Sequence, residues 1–154
     1  MATSFEELKT LQVAEKIADE IWSEVSLWKH FEKRVVGEQL SRSADSIGAN
    51  IAEAYGRYHY GDKLKFLFYA RGSLFETKYW INRAAKRNLI AFDKCGALAM
   101  QLSTLAVQIN AFSQSLRNQR AGNTGNIKEE TGIYETEPEE VVFTSEEINS
   151  ISIL

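Results

Sequence analysis

Proline and cysteine occur once each in the 154 residues, and histidine and methionine twice each. The lone proline, Pro138, leaves everything before it free of the residue that most reliably breaks helices. A lone cysteine, Cys95, excludes an internal disulfide and fits a reducing cytoplasm; within a helical pattern it reads as small apolar filler, not a nucleophile. His30 and His59 fall near expected helix ends, and neither forms a metal-ligand pair with Cys or another His. No apolar run approaches the roughly 20 residues of a spanning helix, so no membrane partner is expected. The opening "MATSFEELKT" has neither a basic nor an apolar signal region, so no secretory signal is read there. No convincing strand pattern, phosphate-binding glycine loop or nucleophile elbow is present. The expectation is a non-enzymatic protein without cofactors, in the cytoplasm.

What the chain does have is helical periodicity. Ser4 followed by Glu7 reads as a capping box. It opens a stripe of Leu11, Ala14, Ala18, Ile21, Val25 and Trp28 that alternates steps of three and four. A second segment runs from about Lys33 to Tyr58, and a third from an expected N-cap at Asp62 to about Arg87. Asn88 is the expected stop of that third segment. A fourth begins near Phe92, with Leu98, Leu102, Leu105, Ile109, Phe112 and Leu116 along one seam. Short connections make neighbours antiparallel, so the expected fold is all-α, an up-down-up-down four-helix bundle over residues 1–120. Residues 121–154 turn polar and acidic and read as a largely irregular tail or linker. The terminal "VVFTSEEINSISIL" regains apolar residues that could dock on the bundle or on a neighbouring subunit.

Charge divides along the chain. Residues 57–94 carry nine Lys and Arg against three Asp and Glu, whereas residues 121–154 carry one lysine against eight acids. The basic middle is a candidate nucleic-acid surface comprising Lys63, Arg71, Lys78, Arg83, Lys86, Arg87 and Lys94. The acidic tail could fold over it and compete.

Projected at about 100° per residue, the second segment has three faces. Leu40, Ala44, Ile47, Ile51, Ala54, Tyr55 and Tyr58 form the apolar one, and Arg42, Ser46, Asn50, Glu53 and Arg57 a polar stripe. The back holds Asp45, Gly48, Ala49, Ala52 and Gly56, small enough to admit another backbone. The polar stripe reads as a solvated flank or as a structural network with Ser73 and Glu76 across the helix pair. Paired catalytic carboxylates at Glu53 and Glu76 are the least favoured reading. The third segment is apolar on one side through Phe66, Ala70, Leu74, Thr77, Trp80, Ile81 and Ala84, and again through Phe68, Gly72, Phe75 and Tyr79. One bundle core cannot bury both faces, which predicts a homo-oligomer. Its expected interface is Gly48, Ala52, Gly56, Phe68, Gly72, Phe75 and Tyr79.

At these residues the chain resembles a known family. "QLSRSADSIGANIAEAYGR" followed by "FLFYARGSLFETKYWINRA" is similar to the four-helix bundle proteins encoded in intervening sequences of bacterial 23S ribosomal RNA genes. That family is related to the accessory variability determinant of diversity-generating retroelements. The likeness covers roughly residues 5–118. It rests on Ser46-Ile47 with Asn50-Ile51-Ala52-Glu53 on one helix, and Ala70-Arg71-Gly72-Ser73 with Glu76 on the next. Ala54 stands where the family usually has glycine, and "HFEKRVV" where many members have Phe-Pro. The resemblance implies a ring-like homopentamer of left-handed bundles without established catalytic activity. For the retroelement relatives it implies nucleic-acid binding through a basic surface and association with a reverse transcriptase. Two functions are expected on these grounds: an RNA- or DNA-associated accessory protein, or an oligomeric protein-interaction scaffold without nucleic acid.

Overall fold

The computed structural model describes residues 4, 5, 8–123 and 141–154, so the stretch around Pro138 lies outside the described residues. The described residues are all-helical, with no strand among them. Helix α1 spans Lys9–Ser26. Helix α2 opens as the short turn His30–Glu32, passes through a π-helical segment Lys33–Gly37, and continues as Glu38–Gly56. Helices α3, Tyr60–Lys86, and α4, Phe92–Asn123, are longer, and a short α5 spans Ser145–Ile151.

Each long helix touches two others, α1 with α2, α2 with α3, α3 with α4, and α4 with α1. Side-chain bonds give the running direction of three pairs. Thr10 donates to the Gln108 carbonyl, Gln101 to Glu20, and Lys94 to Glu24, so α1 and α4 are antiparallel. Asn50 meets Ser73 while Lys63 reaches the Tyr55 carbonyl, which orients α2 against α3. Arg117 donates to the Tyr60 hydroxyl and the Cys95 thiol faces the Ile81 carbonyl, which orients α3 against α4. For α1 and α2 the glycines report the direction: Gly48 lies beside Ala14, and Gly37 beside Val25.

The core forms where these helices turn their apolar seams inward. Ile17, Ile21, Leu40, Ile47, Ile51, Leu67, Leu74, Ile81, Leu102, Leu105 and Ile109 are all fully buried. Each contributes about 1.5–3 kcal/mol by leaving water. The α1 stripe centres on Ile17, not Ala18, which is half-buried together with Trp28. Both registers keep a step of three or four, and the larger β-branched residue takes the inner place. By length and composition α4 could cross a membrane, yet its seam of Leu98, Leu102, Leu105, Ile109 and Leu116 is buried against the other helices.

Several expected boundaries are corrected. Helix α3 starts two residues before Asp62, with His59 at the N-cap, because the Lys63 amide already bonds to the His59 carbonyl. Asp62 instead sits in the first turn, where its charge still complements the helix dipole. Tyr58 is 91% exposed and not part of the apolar face, since α2 ends at Gly56 and Arg57 is extended. At the start of the chain, α1 begins at Lys9 with Leu8 at its N-cap and no side-chain cap bond there. Glu7, half of the expected capping box, lies outside the described residues.

Asn88 ends α3 as expected. Its φ of 57° is left-handed, and the amides of Asn88 and Leu89 bond back to the carbonyls of Ala85 and Ala84, a Schellman stop. Gly37 marks the tightest approach among the described glycines: a Cβ there would sit 2.6 Å from Val25 Cγ1. The π-helical widening of α2 ends at this residue, and Val36 and Gly37 are both buried.

Candidate functional site

The polar flank of α2 consists mostly of short local bonds. Ser46 donates to the Arg42 carbonyl and Asn50 to the Ser46 carbonyl, each four residues back on the same helix. Glu53 pairs with Arg57, whose guanidinium also lies 4.7 Å from the Phe66 ring. On α3, Glu76 accepts from the Trp80 indole and Thr77 donates to the Ser73 carbonyl. Within this flank, Asn50 Nδ2 reaches across to Ser73 Oγ at 3.5 Å, the long limit of a hydrogen bond. Asn50 and Ser73 meet across the helix pair, whereas Glu53 and Glu76 are exposed and bonded to Arg57 and Trp80, each four residues on. Such solvated pairs contribute little stability.

The small residues of α2 face α1. A Cβ on Gly48 would meet Ala14 at 3.7 Å, and Gly48 and Ala52 line a hollow of about 420 Å³ with Leu11, Ala14 and Ala18. Close approach occurs here within one chain. Gly56 and Gly72 are different, because a Cβ on either would meet nothing within 4 Å.

The basic surface expected along α3 is largely occupied by the chain itself. After the undescribed stretch, residues 141–154 return to lie on α3 and α4. Val142, Phe143 and Ile151 are buried, and the Phe143 ring packs 5.9 Å from that of Phe75. Asn110 of α4 clamps the backbone of Phe143 at two points, donating to its carbonyl at 2.8 Å and accepting from its amide at 2.9 Å. Ser103 donates to the Ile148 carbonyl. Arg71 pairs with Glu147 and stacks near Phe75 and Phe143. Lys78, 8% exposed, donates to the Ile153 carbonyl.

Thr144 and Glu147 cap α5 reciprocally. The Thr-x-x-Glu pattern is legible in the sequence and marks this helix; reading the region as an irregular tail missed it. Phe75, expected at an interface between copies, thus has a partner in its own chain, while Tyr79 remains 55% exposed.

The other basic residues divide. Lys63 reaches back to the Ala54 and Tyr55 carbonyls at the end of α2, and Lys94 bonds Glu24. Among the described residues, Arg83, Lys86 and Arg87 make no ion pair, and the last two are exposed.

Electrostatics follow from this packing. Burial pulls the Lys78 ammonium below its ordinary value, and burial does the same for Lys63. The Thr144 amide, more than Arg71, holds the Glu147 carboxyl below the usual range. Burial pushes the Cys95 thiol up, away from nucleophilic character, and its sulfur sits against the Ile81 and Ile90 carbonyls. Among the described residues no group of three His, Cys, Asp or Glu side chains is placed to hold a metal.

The polar flank is thus bonded mostly within each helix, and the C-terminal segment covers only part of the basic face. The family model for the 23S rRNA-intervening sequence protein matches residues 6–111, and the chain belongs to that family. No curated protein matches the chain. The matched region holds the Asn50–Ser73 bond and Asn110, and stops before the C-terminal segment that Asn110 clamps.

Proposed function

We propose that the chain is a non-enzymatic, homo-oligomeric accessory protein that associates with RNA or another nucleic acid in the bacterial cytoplasm. Its antiparallel helix pairs support reading it as an up-down-up-down four-helix bundle. The observation that carries the nucleic-acid reading is the set of cations at the end of α3, Arg83, Lys86 and Arg87, without carboxylate partners among the described residues. Unpaired cations gain most from releasing counterions on a phosphate chain. Assembly is supported by Tyr69 and Tyr79, 48% and 55% exposed on α3, and by the open space at Gly56 and Gly72. Five copies is the number implied by family resemblance, as is a reverse-transcriptase partner.

A second reading, a protein-interaction scaffold without nucleic acid, is favoured by one feature. The α3–α4 flank already holds a short amphipathic segment, α5, by apolar packing and backbone bonds. Size-exclusion chromatography with light scattering, with and without RNA at two salt concentrations, separates these readings. The proposal expects an oligomer that takes up RNA at low salt and releases it at high salt. An oligomer indifferent to RNA would favour the scaffold, and a monomer at high concentration would remove the assembly common to both.

A further inference from the structure

The nucleic-acid reading above rests on charge. The structure adds aromatic rings at one end of the molecule, where α1 passes into α2 and α3 into α4. These two junctions lie together: Lys94 bonds Glu24, the π-helical segment of α2 touches α3, and Leu27 shares a groove with Ile90 and Lys94. Phe31 from one junction is 71% exposed and Phe92 from the other 74%. Lys29 and Arg34 flank the first ring, Lys86 and Arg87 precede the second, and all four are exposed. Among the described residues none of these four makes an ion pair.

We propose that this end is a stacking platform for a single-stranded nucleic acid, and the proposal depends on the nucleic-acid reading. Exposed rings set among unpaired cations match what an unpaired strand offers: base faces to stack on and phosphates to neutralise. A duplex keeps its bases stacked on each other and would use only the cations. An anionic membrane fits less well. The rings stand at two separate helix junctions, not along one continuous apolar face, and Glu32, Glu38 and Asp93 are interspersed among the cations. The opposite end also exposes a ring, Tyr58, but cations beside it are engaged: Arg57 is paired with Glu53 and stacked on Phe66, and Lys63 is bonded to the end of α2.

The test measures fluorescence anisotropy of a labelled 12-nucleotide oligouridine with the full chain at two salt concentrations. A duplex of equal length and vesicles of phosphatidylglycerol and phosphatidylcholine are run alongside. Replacing both rings, Phe31→Ala with Phe92→Ala, is expected to weaken strand binding about tenfold or more. Lys86→Glu with Arg87→Glu should weaken it similarly and flatten the logarithmic salt dependence by about two. Lys65→Glu, near the opposite end of α3, should change affinity less than about twofold, a loss smaller than one phosphate interaction gives. Circular dichroism melts of each variant check folding; both rings are solvent-exposed, so native melts are expected.

Wild-type affinity in the ring variant would overturn the platform while leaving the nucleic-acid reading standing. No strand binding by the unaltered chain at low salt would overturn both. Tighter binding to duplex or to vesicles than to the strand would overturn the single-strand assignment.

Discussion

Arg71 and Lys78 lie midway along α3, and Lys86 and Arg87 lie at its end, all within about 25 Å at 1.5 Å per residue. The first pair is taken up by the returning C-terminal segment, Arg71 by Glu147 and Lys78 by the Ile153 carbonyl. The second pair faces solvent. By residue type the four are one basic stretch; by environment they are two surfaces, one closed and one open. The difference comes from residues 141–154, more than fifty positions away in sequence. A charge becomes a surface only after the chain has finished covering itself.

The largest effect should come from uncovering the closed surface. Phe143→Ala removes the buried ring that anchors the segment, at a cost of about 3 kcal/mol to its docking. Amides of residues 145–151 should then lose hydrogen-exchange protection. The freed Arg71 and Lys78 should steepen the salt dependence of RNA binding by about one to two in logarithmic slope, roughly one for each additional phosphate neutralised. Unchanged protection would mean that the segment does not depend on this ring.

Next in size, Gly37→Ala puts a Cβ 2.6 Å from Val25 Cγ1, next to the open end. A net destabilisation of about 1–2 kcal/mol is expected by urea unfolding, because overpacking outweighs the gain in helix propensity. A smaller effect should follow acidification. The Glu147 carboxyl is held below its ordinary range, so its contribution is present above the unfolded carboxylate value and is lost as pH falls through the folded one. Docking of residues 145–151, read by hydrogen exchange, should weaken below about pH 4. Glu147→Gln should remove that dependence while weakening docking by about 1 kcal/mol or less, since the pair is partly solvated. Smallest, Gly48→Ala should stabilise by about 0.5–1 kcal/mol, because its Cβ would meet Ala14 at an ordinary 3.7 Å. Loss of stability there would show that α1 and α2 are closer than this spacing implies.

Much of the fold is written locally. The seams of α1 and α4 and the inner faces of α2 and α3 follow from spacing, and Asn88 stops α3 where a left-handed residue is needed. Asp62 has a good capping side chain, but the helix starts earlier, at a backbone bond from Lys63 to His59 that leaves no mark in the residue types. Ile17 and Ala18 could not be separated by period alone. The site was less legible for a different reason. Pairing across the chain, such as Asn110 with Phe143 or Arg71 with Glu147, has no periodic signature. The apolar second face of α3 was visible, and so was the apolar terminus; that one covers part of the other depends on where the terminus lands.

The π-helical segment Lys33–Gly37 has an evolutionary consequence. Such a segment behaves as a helix carrying one surplus residue, and everything upstream is rotated by roughly 100° relative to an unbroken helix. Phe31 and the neighbouring Lys29 lie upstream. A one-codon deletion there would turn this ring and cation to a new bearing, and would also shift Val36 and Gly37, which are buried where the segment meets α1 and α3. The bearing of the outward aromatic at this corner is therefore tied to the packing of Val36 and Gly37 beneath it.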